Sequence, residues 1–437
     1  MVKKLGILVV LAALVLASAP SFAEEVTPPI GRERTTGGIA GDIFERRGGY
    51  VHPFLSVTEY YTDNVFNTKD NKEDDFVTVL SPGIWFAVPR VKERVMEIST
   101  ASVAPGGASA TRFLERAPGR YQAYALYRAD IEIFARNSSE NTDNHLAEGV
   151  FQYNFRGGLS VDVMNQFAKT HDVRGRATGD DITLDEYNAN YFSTILTYKI
   201  SDRLTLRADY ANYLLDYTTD NDNFRDRKDN SASGYIFYRI GPRTSVFGQY
   251  EFIDVDYDES TLPSSKQHHV FVGARREVTD KSRIMLKAGY GTKDFENSTV
   301  GNKDNVLLEA QVQHSFTTKT SVSVIAARRF SESDLRTTQY VLTNSVGVHY
   351  RQRVTSKITG SLLLTFADEQ YKGDPVTAGG ETKQRKDKYY GVGPGVQYRF
   401  KEWLSAEARY TFSKRDSNLS FFDYTNNTVA LTVTGSF

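Results

Sequence analysis

Cysteine is missing from all 437 residues, which excludes a disulfide framework and thiol chemistry together. Tryptophan and methionine are scarce, at 2 and 4, and the charges nearly cancel, with 53 Lys and Arg against 54 Asp and Glu. A chain this close to neutral carries no electrostatic footprint for nucleic acid. Long apolar runs are lacking as well. One run, from Leu5 to about Ala17, stands alone; it is shorter than the roughly 20 residues of a spanning helix, and mean hydropathy is −0.44. What the chain does have is 26 Tyr and 26 Phe, residues that favour strands over helices.

The lone apolar run follows Lys3 and Lys4 and precedes Ser21-Phe22-Ala23 and Glu24-Glu25, the charged, apolar and small-residue order of a secretory signal. The expectation is a signal peptide over 1–23, cleaved after Ala23. A flexible periplasmic segment is expected over 24–50, where Pro28-Pro29 and Gly37-Gly38 interrupt any period. A secreted chain without disulfides needs another framework, and a closed hydrogen-bonded sheet in lipid supplies one.

From residue 51 onward a pattern repeats. Short breaks fall at Arg156-Gly157-Gly158, Ser201-Asp202, Gly241-Pro242, Thr279-Asp280, Thr318-Lys319, Ser356-Lys357 and Lys401-Glu402. Their spacing of roughly 38 to 46 residues is that of one long hairpin with its loop. Between them lie Asp- and Asn-rich stretches such as 218–230, 254–266 and 368–387. Tight turns thus alternate with long polar loops, the asymmetry of an outer-membrane barrel.

Within the segments the side chains alternate. Leu404, Ala406, Ala408, Tyr410 and Phe412 fall on one face, and Ser405, Glu407, Arg409, Thr411 and Ser413 on the other. Alternation alone would also suit a soluble sandwich, but segments of ten or more residues match a tilted membrane crossing. The fold expected is therefore all-β: a transmembrane antiparallel up-and-down outer-membrane β-barrel over 51–437, of about 18 strands, with short periplasmic turns and long extracellular loops. Counting Val95 to Val103 as a strand would make the total odd, so 90–119 is read as an insertion. Aromatic pairs at strand ends, Trp85-Phe86, Tyr389-Tyr390, Tyr398 and Phe400, Trp403 and Tyr410, suggest interfacial girdles.

A barrel of this size encloses water, so charged residues should face inward. Those expected to face the lumen are Arg207, Asp209, Glu251, Arg275, Lys287, Glu309, Arg399, Glu407 and Arg409, together with Asp162, Gln249 and Gln311. Their mixed sign argues against strong ion selectivity, and a salt-bridge network that plugs the lumen is the alternative to an open one. No catalytic residue, cofactor site or metal site emerges. None of the seven histidines lies in a nucleophile or zinc motif. Adjacent His268-His269 point to opposite faces, and the Asp220 to Asn223 run lacks the glycine of a tight calcium loop.

The final stretch alternates up to the terminal Phe437, with Val429, Leu431, Val433 and Gly435 on its face. It resembles the C-terminal targeting strand of bacterial outer-membrane proteins, whose last aromatic is read by the barrel-assembly machinery. The opening, His52 to Phe66 with Asp63-Asn64, then Asp75 to Gly83 with Ser81-Pro82-Gly83, resembles the β-barrel porin type 2 family, and Asn144-His145 and the hairpin series extend the likeness over most of the mature chain. Arg90 to Gly119 departs from the compact pattern expected there. That resemblance implies a large barrel in the outer membrane of a Gram-negative bacterium, and several members are tied to exopolysaccharide gene clusters. The implied function is a conduit for secreted polysaccharide, working with periplasmic export components. A general solute porin and a plugged structural or adhesive barrel acting through its loops stay open as alternatives.

Overall fold

The computed structural model describes residues 51–88, 119–172, 184–219, 222–279, 281–297 and 301–436. The expected signal peptide, the lead-in to residue 50, the insertion up to residue 118, Asp220 and Phe437 lie outside them.

The strands are β1 (Val51–Thr62), β2 (Asp75–Val88), β3 (Tyr121–Phe134), β4 (Thr142–Asn154), β5 (Leu159–His171), β6 (Glu186–Lys199), β7 (Leu204–Tyr217), β8 (Arg227–Gly241), β9 (Thr244–Tyr257) and β10 (Ser265–Thr279). They continue with β11 (Ser282–Phe295), β12 (Lys303–Thr317), β13 (Thr320–Ser331), β14 (Thr338–Arg353), β15 (Ile358–Gly373), β18 (Lys386–Lys401), β19 (Leu404–Ser417) and β20 (Tyr424–Ser436). The short pair β16 (Val376–Ala378) and β17 (Glu381–Lys383) forms a hairpin of its own. The other 18 strands make one antiparallel sheet in which each pairs with its chain neighbour. It closes where β20 meets β1, Phe54 opposite Ser436 through Thr62 opposite Thr428. Lipid offers no partner for backbone amides, so only such a ring satisfies strands inside it.

Every expected strand coincides with an observed one, and the expected tight breaks lie at connections between strands, apart from Thr279-Asp280, where Asp280 lies outside the described residues. The difference is at the loop ends. β8 begins at Arg227 where 231 was expected, β9 runs to Tyr257 where 253 was expected, and β15 to Gly373 where 367 was expected. These extensions carry Asp and Asn that read as loop, yet the ladder continues through them: Asp254 and Asp256 face outward, while Asp229 is buried inside against Arg227 at 3.3 Å.

A row of outward tyrosines marks where the change occurs. The Tyr210 hydroxyl donates to Asn230 at 3.0 Å and that of Tyr410 to Asn427 at 2.7 Å. Tyr127 bonds His145 at 2.9 Å, Tyr250 bonds His268 at 2.7 Å, and Tyr290 bonds Asp304. Each ring ties one strand to a polar residue one step nearer the loops on the next. This is how an amphipathic ring sits at a membrane interface. Below the row the outward residues are apolar, as with Val270, Val272 and Leu286, and the inward ones are polar along β7 to β12 but include an apolar cluster on β1 to β5. Above it the sides exchange: on β9 Asp254 and Asp256 face out while Ile253, Val255 and Tyr257 are buried inside. The barrel is a membrane protein up to the tyrosines and a water-soluble one beyond them.

Two expected girdle residues belong to the interior instead. Trp85 stacks on Tyr124 with centroids 4.9 Å apart, and Tyr389 is likewise buried. In a strand, neighbours cannot share a face, so only Phe86 and Tyr390 of those pairs reach lipid. Trp85 belongs to an inner cluster with Phe54, Leu126 and Met164. The Phe54 ring lies across Gly83, where an added Cβ would stand 2.2 Å from its Cζ. Only glycine permits that approach, which gives the Ser81-Pro82-Gly83 element a packing reason.

Asp63-Asn64 has a reason too: it fastens the closure. Asp63 accepts from the backbone and side-chain nitrogens of Asn427, both at 2.7 Å. Buried Asn64 donates to the Thr68 and Thr425 carbonyls at 2.7 and 3.0 Å, and its own carbonyl accepts from Asn426 at 2.8 Å. Below, Ser56 meets Thr434 and Thr58 meets Thr432, each at 2.8 Å. Replacing Asn64 with Ala strands these buried carbonyls and should cost roughly 1–3 kcal/mol. The expected result is a lower temperature for the heat-induced mobility shift of the folded barrel on detergent gels; an unchanged transition would remove the latch from the account.

Candidate functional site

The interior divides into a buried ion ladder, a folded-in hairpin and an exposed strip of wall. The ladder crosses β7 to β12. Arg207 and Asp209 pair at 2.6 Å, Glu251 meets His269 at 3.0 Å, and Lys287 bridges Glu309 at 3.0 Å while donating to Gln249 at 3.2 Å. Asp209, Glu251 and Lys287 are all buried. Charges removed from water need such partners, and here the sequence places opposite signs on neighbouring strands. Of the twelve residues expected to face the lumen, seven therefore fall in this ladder: Arg207, Asp209, Gln249, Glu251, Lys287, Glu309 and Gln311. Glu407 and Arg409 pair with each other on β19, with Arg399 on the adjacent β18. Arg275 stands apart near the turns, paired with Glu277 at 3.3 Å and well exposed. Adjacent His268 and His269 do diverge, one bonding Tyr250 on the outer face and the other Glu251 inside. No group of three or more His, Asp or Glu able to hold a metal occurs among the described residues.

The hairpin is the end of β13 and β14. Pairing between β12 and β13 stops at Leu308 opposite Arg328, although β12 continues to Lys303 and β13 to Ser331. Beyond that point β13 leaves the wall and bends inward, so its former outer face packs on the inner faces of β9 to β12. Phe330 lies 6.0 Å from the His269 ring and 5.6 Å from Tyr340, in a buried cluster with Ile253, Tyr257 and Leu307. Arg328 spans the parting, donating to the Val306 carbonyl at 3.1 Å and to Asn305 at 2.8 Å. At the tip, Glu332 receives Lys293 at 2.6 Å and the Tyr257 hydroxyl at 3.1 Å. Burial pushes the Glu332 carboxyl up, but Lys293 and Arg227 outweigh it and hold it below the usual range. Leu335 continues into a second apolar cluster with Val376, Leu419 and Phe422 from the neighbouring loops.

Beside the hairpin, Arg225 gathers three carboxylates: Asp172 at 2.5 Å, Asp185 at 3.6 Å and Asp222 at 3.9 Å. Its guanidinium stacks 4.2 Å over Tyr217, whose hydroxyl donates to Asp172 at 2.7 Å. Burial first, and then Asp222, raise the Asp185 carboxyl to about 8. Lys293, Glu332, Arg225 and Asp172 carry no sequence motif. The available hint was the segment Phe330 to Leu335, a loop bounded by large apolar residues where the other loops are rich in Asp and Asn.

A closed antiparallel wall with a lipid-facing apolar band, tyrosines at its upper edge and polar residues inside defines an outer-membrane β-barrel of the porin-like channel class. The family model described as "Putative beta-barrel porin 2" matches residues 119–437, and the chain belongs to that family. No curated protein matches it. Among solved structures it is similar to Pseudomonas aeruginosa OpdK crystallised with vanillate, at TM-score 0.44 and 10% identity over 89% of this chain and 100% of that one. Acinetobacter baumannii OccAB4 gives 0.44 and 10% over 90% and 99%, and Pseudomonas aeruginosa OccK7 gives 0.41 and 12% over 89% and 99%.

Two outcomes follow. Lys293→Ala leaves Glu332 buried without its cation, a change of about 3–5 kcal/mol, and should release the hairpin tip to protease at the 332–337 segment while the barrel stays folded; equal protection in both proteins would contradict it. Asp185 has its folded value above its unfolded one, so its contribution is complete below about 4 and is lost as pH rises through about 8. Cleavage of the loops around Asp172 to Asp226 should accelerate from pH 6 to pH 9, and Asp185→Asn should flatten that dependence.

Proposed function

We propose that the protein is a gated outer-membrane conduit for a secreted exopolysaccharide. The observation that carries this reading is the unequal interior. The strip of wall along β14, β15, β18 and β19 keeps half-exposed polar side chains such as Arg351, Gln397 and Arg409, whereas the loop end above the ladder is filled by a hairpin that the β12 ladder does not hold. A passage lined by water-facing groups and covered by a separable element suits an extended hydrophilic polymer moving outward. The family resemblance to barrels of exopolysaccharide clusters supports the same reading. A general solute porin is the second reading, favoured by the hairpin itself, since an inward fold that stays in place narrows the passage to small molecules.

Conductance in planar bilayers separates them. Deleting 332–337 should convert small or flickering currents into large, steady ones if the hairpin is a gate. A porin instead passes small sugars in liposome swelling with the hairpin intact and gains little on deletion. A barrel silent in both forms would exclude the channel and leave the structural or adhesive alternative.

A further inference from the structure

Above the tyrosine row the outer wall divides by charge. On β7 to β11 its outward positions and their margin carry Asp216, Asp254, Asp256, Asp294 and Glu296 around Lys228 and Lys266. On β15, β18 and β19 the same band carries Lys372, Lys386, Lys388 and Lys414 with Asp368 and Asp416. Lys72 joins this second group from the loop between β1 and β2, its ammonium donating to the Thr425 carbonyl at 3.0 Å and to the Thr425 hydroxyl. Asp63, on the border, is engaged by Asn427.

Register brings three of these lysines together. Phe366, Tyr390, Lys414 and Thr425 lie abreast on β15, β18, β19 and β20, so Lys414 and Lys72 flank one threonine. Asp368, Lys388 and Asp416 form the next row toward the loops. Strands about 4.8 Å apart and rows about 7 Å apart put the backbones of Lys388 and Lys414 on the order of 8 Å from each other. Among the described residues neither lysine forms an ion pair, although Lys388 lies between two aspartates. On the other side of the barrel, Lys169 holds Asp143 at 3.0 Å and Lys266 holds Glu296 at 3.1 Å. Like charges gathered on one wall repel each other until an anion comes between them.

Depth says which anion. Lys414 stands four residues beyond Tyr410 on the same strand, about 14 Å along it and on the order of 10 Å higher once the strand tilt is taken into account. Tyrosine hydroxyls mark the edge of the hydrocarbon, so these ammoniums stand among lipid headgroups. Directly below them the wall is apolar and exposed, with Tyr390, Val392, Val429 and Leu431, and the Tyr390 ring packs on Phe366 at 5.4 Å. A soluble anion would use the ammoniums and leave that wall idle, whereas an amphiphile uses both. Lysine meets phosphate as a compact point charge, and several lysines suit a head that carries more than one phosphate.

We infer that Lys72, Lys388 and Lys414 bind the phosphorylated head of an outer-leaflet glycolipid whose acyl chains lie on the apolar wall below. The lipid is held on one side only, because the carboxylates of β7 to β11 repel the same head. Binding depends on the place of the barrel in the membrane and is independent of what its interior conducts.

The test is microscale thermophoresis on the detergent-solubilised barrel with bisphosphorylated lipid A and, separately, the same lipid stripped of both phosphates. Expected are binding of the phosphorylated lipid, weakening with salt, and a loss of about fivefold in affinity for K388Q and for K414Q, one lysine's share at an anionic lipid surface. The stripped lipid should bind at least about tenfold more weakly, since it forfeits more than one such contact. K414R keeps the charge and should bind nearly as wild type, which separates lost recognition from a failure to fold. K266Q removes an equal charge from the acidic side and should leave the affinity unchanged. Equal binding of both lipids, or the same loss in K266Q, overturns the site. Displacement of the lipid by excess inorganic phosphate also overturns it, by assigning the lysines to a soluble anion.

Discussion

Backbone hydrogen bonding in a solvent that offers no partners is the constraint on which the rest of this structure depends. An isolated strand in hydrocarbon would strand a donor and an acceptor at every residue, so the chain must return to its beginning. That return joins β1 and β20, segments more than three hundred residues apart, and the loop-closure entropy has to be met locally. The side chains at the joint answer this: hydroxyls pair on its inner side, and Asp63 and Asn64 fasten its loop end to Asn426 and Asn427.

The second organising fact is that the solvent changes along each strand. Below the tyrosine row the outside must be apolar, and the inside may carry charge. Above it, water surrounds the barrel, and apolar residues such as Ile253 and Val255 turn inside alongside buried ion pairs such as Lys293 with Glu332. A strand crossing that boundary exchanges the character of its two faces without changing its pleat. The apolar interior so created near the loops is what the β13–β14 hairpin fills. Below it the interior is polar along the ladder from Arg207 to Glu309, which keeps its charges in pairs, and apolar around Phe54, Trp85 and Met164.

Much of this was legible in the sequence. Leu404 to Ser413 shows its two faces directly, and the breaks at Gly241-Pro242 or Lys401-Glu402 mark turns because tight connections demand particular residues. The upper ends were not legible. Asp254 and Asp256 read as loop since the expected polarity belongs to a membrane strand, and the exchange of faces had to be seen to be recognised. Trp85 and Tyr389 were placed outside because aromatic clustering was weighed above the strict alternation that assigns neighbours to opposite sides. Partner choice within the ladder was also hidden: which cation meets which carboxylate depends on the stagger between strands, so Lys293 and Glu332 gave no sign of each other. The departure of β13 from β12 falls where its alternation lapses into like pairs, Ala326-Ala327 and Arg328-Arg329, a cue that the hairpin spacing overshadowed.

That parting has a mechanical meaning. Around the bilayer every strand is held on both flanks, so tension applied anywhere is shared by the entire circumference. At the level of Lys303 to Leu307 the circumference is interrupted once, and the wall there is a ribbon with two ends, tacked by Arg328. The outer third can therefore unroll and recoil while the girth at the lipid remains fixed, and the membrane need never sense the movement.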